Sequence, residues 1–202
     1  MIHSVHIGDD CDLIDKIRSL HATGPRTLDA TYGHGRFWNH RIADGHQVTG
    51  LDLRALDLAR TAHHTLIQGS WMDLPFRNSS FDTVVLDPPF IWNGGTAGRM
   101  KARYTSAKSY DHLLHELHTA GHEFHRVTTS NGTIIAKAMD TVNGGARAWF
   151  HMDLTRLWED EWSLRDLFVK VGVNNMRDPR WKKQRLSRAS HTYFLVFKKT
   201  KY

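Results

Sequence analysis

The residues whose types and spacing could carry out chemistry are Asp87, Pro88, Pro89 and Phe90, which follow the short apolar run at 83–86. Such a run is typical of a strand buried on both faces. A residue before proline is pushed out of the helical region, and each proline ring fixes φ and removes an N–H donor. The sequence therefore predicts a stiff lip at the carboxyl end of a strand, where open α/β sheets bind ligands.

The groups on this lip suit the activation of an amino group on a flat aromatic base. The lone pair of such a nitrogen is delocalised into the ring, so the nitrogen is weakly nucleophilic. The Asp87 carboxylate and the Pro88 carbonyl could accept from its two N–H bonds, and the carboxylate would stabilise the positive charge that develops on nitrogen. Phe90 could stack on the base, a contact worth about 1–3 kcal/mol. An acidic strand end before a plain proline turn is the alternative interpretation.

A glycine-rich turn, with Gly33 and Gly35, follows an earlier predicted strand. Glycines between a strand and a helix let the backbone approach a ligand closely, and dehydrogenases use such a turn around pyrophosphate. Here Trp38 stands where the third glycine of the dehydrogenase motif would be. Asp29 and Thr31 suit a charged amino acid moiety, whereas a carboxylate would repel phosphate. The turn therefore favours S-adenosylmethionine over a nicotinamide cofactor.

Two more acids stand at the ends of the next predicted strands. Asp52 lies about 20 residues beyond the glycines, the spacing at which a carboxylate meets ribose hydroxyls, and Leu53 follows it. Met72 and Asp73 come after the third strand. Taken alone, Asp52 and Asp73 are each better explained as solvated loop acids than as ligands. The glycine turn and three acids at successive strand ends together predict a cofactor site.

These stretches resemble the motifs of class I S-adenosylmethionine-dependent nucleic-acid amino-methyltransferases, which act on N6 of adenine, N4 of cytosine or N2 of guanine. The glycine turn resembles motif I, the stretch at 71–76 resembles motif III, and D-P-P-F at 87–90 resembles motif IV. The resemblance implies S-adenosylmethionine as the cofactor and catalysis by Asp87, Pro88, Pro89 and Phe90. The implied cofactor-binding residues are Asp29, Thr31, Gly33, Gly35, Asp52, Leu53, Met72, Asp73 and Asp87.

The order of the motifs, with the cofactor motifs before D-P-P-F, resembles the γ arrangement of small bacterial and phage-type DNA adenine-N6 methyltransferases. It implies a Rossmann-like α/β fold, with seven mostly parallel strands in the order 3-2-1-4-5-7-6 and helices on both faces. We expect one methyltransferase domain over residues 1–202, without a separate target-recognition domain. Methyl transfer to N6 of adenine in DNA is favoured. The alternatives are an RNA adenine-N6 or guanine-N2 methyltransferase and a non-catalytic nucleic-acid-binding module.

The net charge of +6 and the pI of about 9.6 favour an anionic partner such as nucleic acid, with DNA preferred over RNA. Two basic stretches at 91–109 and 174–190 suit a phosphate backbone, although a solvated surface explains such runs too. A protein partner could supply specificity. The candidate nucleic-acid-binding residues are Arg99, Lys101, Arg103, Arg177, Arg180, Trp181, Lys182, Lys183, Arg185 and Arg188.

The remaining patterns concern location and metal. A single Cys11, a start without the apolar core of a signal peptide and no apolar run of about 20 residues predict a cytoplasmic protein without membrane contact. Histidines at 115, 118, 122 and 125 share one stripe of a predicted helix, but the stripe faces water and the reaction needs no metal. No metal is predicted.

Periodicity and turn residues predict the elements that position these side chains. We expect helices at 9–22, 55–63 and 110–127 and around Leu154, Leu157 and Trp158. We expect strands at 26–30, 47–53, 65–70, 83–86, 133–138, 167–173 and 193–197. The Asn131-Gly132 pair predicts a turn before the fifth strand.

Overall fold

A computed structural model describes residues 1–38, 47–54, 64–90, 108–143, 146–172, 186–187 and 189–200. The strands are β1 Val5–Ile7, β2 Arg26–Asp29, β3 Gln47–Asp52, β4 His64–Gln68, β5 Phe81–Leu86, β6 Thr128–Ala138, β7 Thr141–Asn143, β8 Ala146–Ala148, β9 Trp162–Val171 and β10 His191–Lys199. The α-helices are α1 Asp10–His21, α2 Tyr110–Val127 and α3 Phe150–Leu157, and a 3₁₀ turn covers Arg36–Trp38.

Eight strands form one mixed sheet in the order β1-β9-β10-β6-β5-β2-β3-β4. Strand β10 runs antiparallel to β6 and β9, whereas the other neighbours are parallel. Strands β7 and β8 form a separate antiparallel pair. This is a Rossmann-like α/β fold in which the carboxyl ends of β2, β3, β4, β5 and β6 share one edge.

The prediction of a seven-stranded sheet is wrong, because β1 adds an eighth strand beside β9 and changes the order at that edge. Strand β1 has only three residues, too few for a period-two pattern to indicate it in the sequence. The other seven strands of this sheet follow the neighbour relations that were expected of them.

Strand β5 is buried along its whole length and joins the two halves of the core. Val84 and Leu86 face one cluster with α2 and α3, while Val85 faces the other with α1. This alternation is the period-two geometry of a strand covered on both faces. The apolar side of α2 supplies Leu113, Leu117 and Phe124 to the first cluster. The protein thereby holds the end of β5, where D-P-P-F begins, on a rigid support.

Several predicted elements agree with the structure. Strand β9 differs in its bounds, since it begins at Trp162 rather than at 167, and two further details also differ. Helix α2 has the predicted bounds, and the Ser109 hydroxyl caps it by accepting from His112 N at 3.1 Å. The Asn131-Gly132 pair lies inside β6 rather than before it, but the register of β6 against β5 shifts between Thr128 and Thr133, so regular pairing resumes at the predicted Thr133. Leu20 was expected on the apolar side of α1 but is exposed. The helix at 55–63 lies outside the described residues.

Within the described ranges, no helix combines the length and apolarity that a membrane crossing requires. The cytoplasmic location and the single-domain organisation stay predictions.

Candidate active site

The glycine turn lies at the carboxyl end of β2 and is tied to the end of β3. Gly33 and Gly35 have φ of +54° and +66°, a region that glycine enters without steric cost. The Gly33 N–H donates to Asp52 Oδ2 at 3.1 Å. The structure therefore brings the predicted motif I and the predicted ribose acid into direct contact.

Asp29 lies beneath this turn and is almost completely buried. Its Oδ1 accepts from Thr31 N at 3.0 Å and its Oδ2 from Trp38 Nε1 at 2.7 Å. Burial raises the pKa of Asp29 to about 7, and the nearby carboxylates of Asp87 and Asp52 add to the rise. Asp29 thus fastens the turn to the 3₁₀ helix, and direct contact with the cofactor stays a prediction. Trp38, which stands in place of a third glycine, anchors the turn through its hydrogen bond to Asp29. Sequence reasoning missed this role of Trp38.

Asp52 carries a second set of contacts. Its Oδ1 accepts from the backbone N of Arg54 at 2.9 Å and from Arg54 Nε at 3.2 Å. The two side chains are 13% and 39% exposed, so the pair lies at the surface of the site. Sequence reasoning did not anticipate Arg54. A ribose diol that binds Asp52 must share its oxygens with this guanidinium.

The predicted motif III residues lie on an exposed loop that α2 holds in place. Asp73 is exposed, and Leu53 and Met72 present apolar side chains that are 56% and 37% exposed. Arg126 donates to the carbonyls of Leu74 and Phe76 and pairs with Glu123 of the same helix. Leu53 and Met72 are the exposed apolar groups that a flat ring could contact beside Asp73.

The D-P-P-F lip follows β5 directly. The backbone N–H of Asp87 donates to Thr31 Oγ1 at 2.7 Å, so the predicted motifs I and IV touch. Burial raises the pKa of Asp87, while the neighbouring Lys137 ammonium opposes that rise. Pro88 is buried, whereas Phe90 is half-buried and meets Phe150 edge-to-face at 5.9 Å between ring centroids.

Lys137 is a third residue of this site, after Trp38 and Arg54, to which sequence reasoning assigned no role. Its Nζ donates to Asp87 Oδ2 at 3.1 Å and to Asp10 Oδ2 at 2.9 Å. The available signal was a lysine one residue before the end of an otherwise apolar strand, β6. A charge in that position needs a buried partner.

The described part of the chain does not include the residues that were predicted to bind nucleic acid. Every candidate lies outside the described residues: Arg99, Lys101, Arg103, Arg177, Arg180, Trp181, Lys182, Lys183, Arg185 and Arg188. Their role in binding stays a prediction.

Four histidines lie along α2, at positions 115, 118, 122 and 125. In the described part of the chain, the His, Cys, Asp and Glu side chains form no group of three that could hold a metal ion. His122 pairs with Glu161 at 2.8 Å, and the rings of His118 and His122 meet edge-to-face at 4.8 Å.

Residues 28–88 match a family model described as a methyltransferase domain. That match spans the glycine turn, Asp52, Asp73, Asp87 and Pro88. It does not include Phe90. No curated protein matches the sequence.

Solved structures match over nearly the whole chain. A TehB-like S-adenosylmethionine-dependent methyltransferase from Corynebacterium glutamicum has a TM-score of 0.56 at 20% identity, with 95% of this chain and 87% of that chain covered. The 1,6-didemethyltoxoflavin-N1-methyltransferase of Burkholderia thailandensis, with bound S-adenosylhomocysteine, has a TM-score of 0.60 at 17% identity and covers 95% and 79%. A proposed rRNA methylase from Clostridium thermocellum has a TM-score of 0.59 at 12% identity and covers 96% and 100%.

The chain has the fold of the class I methyltransferases, whose cofactor is S-adenosylmethionine. The residues of the site fit that molecule. Gly33 of the glycine turn has no Cβ and only the Thr31 carbonyl near it, so it admits close backbone contact. Asp52 offers a carboxylate for the ribose, and the exposed Leu53 and Met72 offer apolar surface for the adenine ring. When bound, S-adenosylmethionine supplies an electrophilic methyl group on a sulfonium.

Proposed function

We propose that this protein transfers the methyl group of S-adenosylmethionine to an exocyclic amino nitrogen of a nucleobase, with N6 of adenine in DNA as the favoured target. The observation that carries the proposal is the contact between Asp87 N and Thr31 Oγ1 at 2.7 Å. It supports a reaction in which the cofactor turn and the amine-orienting lip form one rigid unit. The amino group would then meet the methyl group in a fixed position.

In this mechanism the chain mainly orients and stabilises. The Asp87 carboxylate and the Pro88 carbonyl accept from the two N–H bonds of the amino group, while Phe90 stacks on the ring. The carboxylate stabilises the positive charge on nitrogen as the new bond forms. Because the sulfonium is already a strong electrophile, alignment and charge placement carry the catalysis without a dedicated base. A base in a duplex must first flip out, which costs a few kcal/mol.

The half-buried position of Phe90 limits how that stacking occurs. Its contact with Phe150 fixes the ring at one side, so only the remaining exposed part is free for a base. A fixed aromatic platform loses little entropy on binding, which favours capture of a flat ligand.

An RNA target is the second candidate, and one observation favours it. The Clostridium thermocellum structure, a proposed rRNA methylase, matches over the full length of that protein and over 96% of this chain. Folded RNA presents unpaired bases without the cost of flipping. The net charge does not decide between the two polymers, since both backbones are anionic.

Labelled S-adenosylmethionine with duplex DNA and, separately, with total tRNA and rRNA tests the proposal. We expect label in DNA, and N6-methyladenine without N4-methylcytosine in its nucleoside digest. Asp87→Asn, which keeps the side-chain shape, is the matched control and should bind the cofactor without transferring the methyl group. Label only in RNA would move the target to RNA. Cofactor binding without transfer to any of these polymers would indicate the non-catalytic module instead.

A further inference from the structure

Lys137 lies level with Asp87 on the neighbouring strand. In the pairing of β5 with β6, Leu86 is opposite Ala136, so the next residue of each strand end comes side by side. The Lys137 side chain is 17% exposed and points to the α1 face of the sheet, where its ammonium lies 5.6 Å from the centre of the Phe37 ring. The lysine is therefore held in a nearly closed space beside the lip.

This ammonium belongs to a row of four charged groups whose signs alternate. Lys137 bridges Asp87 and Asp10, and Asp10 also pairs with Lys170 of β9. Burial lowers the pKa of Lys137, but Asp87 and Asp10 more than offset that effect and the net pKa is raised. The row of Asp87, Lys137, Asp10 and Lys170 is balanced in charge, and it links four separate segments of the chain.

Asp87 is consequently held at two points. Its backbone N–H is bound to Thr31, and its Oδ2 accepts from Lys137. None of the described residues hydrogen-bonds to Oδ1. A carboxylate has room for further hydrogen bonds at each oxygen, so Oδ1 is available for a ligand.

We propose that Lys137 is a positioning residue, which binds Asp87 Oδ2 and thereby directs Oδ1 toward the amino group of the acceptor. This inference rests on the proposed function. The bridge to Asp10 restrains Lys137 in turn, since an ammonium between two carboxylates has one favourable location. The charge of the ammonium also opposes the rise in the pKa of Asp87 that burial causes, and so favours the ionised form that accepts hydrogen bonds.

The pH dependence follows from the groups that face Asp87, which are Lys137, Asp10, Arg36 and Asp29, with Lys170 behind Asp10. Burial and Asp10 raise the pKa of Asp87, whereas Lys137 and Arg36 lower it. Removing Lys137 takes away the largest opposing effect, so the pKa rises further. Loss of an adjacent opposite charge typically shifts a carboxyl by about 1–3 units.

The test compares Lys137→Met with Lys170→Met. The second variant removes the same charge from the same row but does not touch Asp87. We would follow Asp87 by carbon-13 NMR of the aspartate carboxyls, with its signal identified by its absence in Asp87→Asn. The rate of methyl transfer would be followed across the same pH range.

In Lys137→Met, the Asp87 titration and the acidic limb of the rate profile should both move up by about 1–3 pH units. Lys170→Met should shift them less, and Lys137→Arg should restore most of the wild-type profile. If Lys137→Met does not fold, as judged by circular dichroism, Lys137→Gln should give the same upward shift. An Asp87 titration unchanged in the folded variant would overturn the role of Lys137. If the wild type methylates neither DNA nor RNA, the proposed function fails, whereas the NMR titration still decides whether Lys137 controls Asp87.

Discussion

Substitution of Asp52 is the most direct test of the cofactor site. The carboxylate is 13% exposed, accepts from the Gly33 N–H at 3.1 Å and stands at the end of β3, where the ribose is expected. Asp52→Ala removes a charged acceptor for the diol, and it also releases the glycine turn. Hydrogen bonds to charged groups contribute about 1.5–3 kcal/mol, so we expect the dissociation constant for S-adenosylmethionine to rise about ten- to a hundredfold.

Two further variants separate the effects that Asp52→Ala combines. Asp52→Asn keeps an oxygen for the Gly33 N–H but loses the charge, so its affinity should fall between wild type and Asp52→Ala. Arg54→Met frees the carboxylate from a guanidinium that lies 3.2 Å away at its Nε. Because an ion pair this exposed contributes at most about 1 kcal/mol, the affinity should rise by no more than about fivefold.

Isothermal titration calorimetry with S-adenosylmethionine measures all three variants. Binding by Asp52→Ala as tight as that of the wild type would exclude Asp52 from the cofactor site. Weaker binding by Arg54→Met than by Asp52→Ala would show that Arg54 rather than Asp52 holds the cofactor. Circular dichroism of each variant separates loss of the site from loss of the fold.

Three other predictions concern stability. Asp29 keeps its proton up to a pH of about 7 in the folded state but loses it near 3.8 when unfolded. The free energy of unfolding should therefore fall between about pH 4 and 7, by up to about 1.4 kcal/mol per pH unit. In urea titrations Asp29→Asn should flatten that decline, and an unchanged slope would contradict the raised pKa of Asp29. A Cβ at Gly50 would lie 2.3 Å from the Tyr32 ring, so Gly50→Ala should destabilise the protein by about 1–3 kcal/mol, which an unchanged melting temperature would disprove. Arg126→Met removes the hydrogen bonds that hold the loop at 74–76, and urea unfolding should show a loss of about 1–3 kcal/mol. Lys199→Met is the control, because it removes a cation at the same carboxyl-terminal end of α2 that does not bind this loop.

Much of the fold could be predicted from local patterns. The bounds of α2 follow from a 3.6-residue apolar period that begins after Ser109, and β5 follows from a continuous apolar run before two prolines. The carboxyl-edge position of Asp52 and Asp87 follows too, because parallel strands place their ends together. Strand β1 and the extension of β6 back to Thr128 could not be predicted. Three residues carry no period, and the pairing of Thr128 with Phe81 depends on a strand that is distant in the sequence.

The sequence by itself determined which residue types stand at the strand ends, and the proposed cofactor and chemistry rest on those types. Turn and strand signals depend on neighbours a few residues apart, which a linear chain displays. Only the tertiary structure decided the partners of those residues. Lys137 meets residues 50 and 127 positions away, and Trp38 reaches under the turn to Asp29. Such contacts depend on how β6 and α1 pack against β5, and burial then fixes which carboxylates keep their protons.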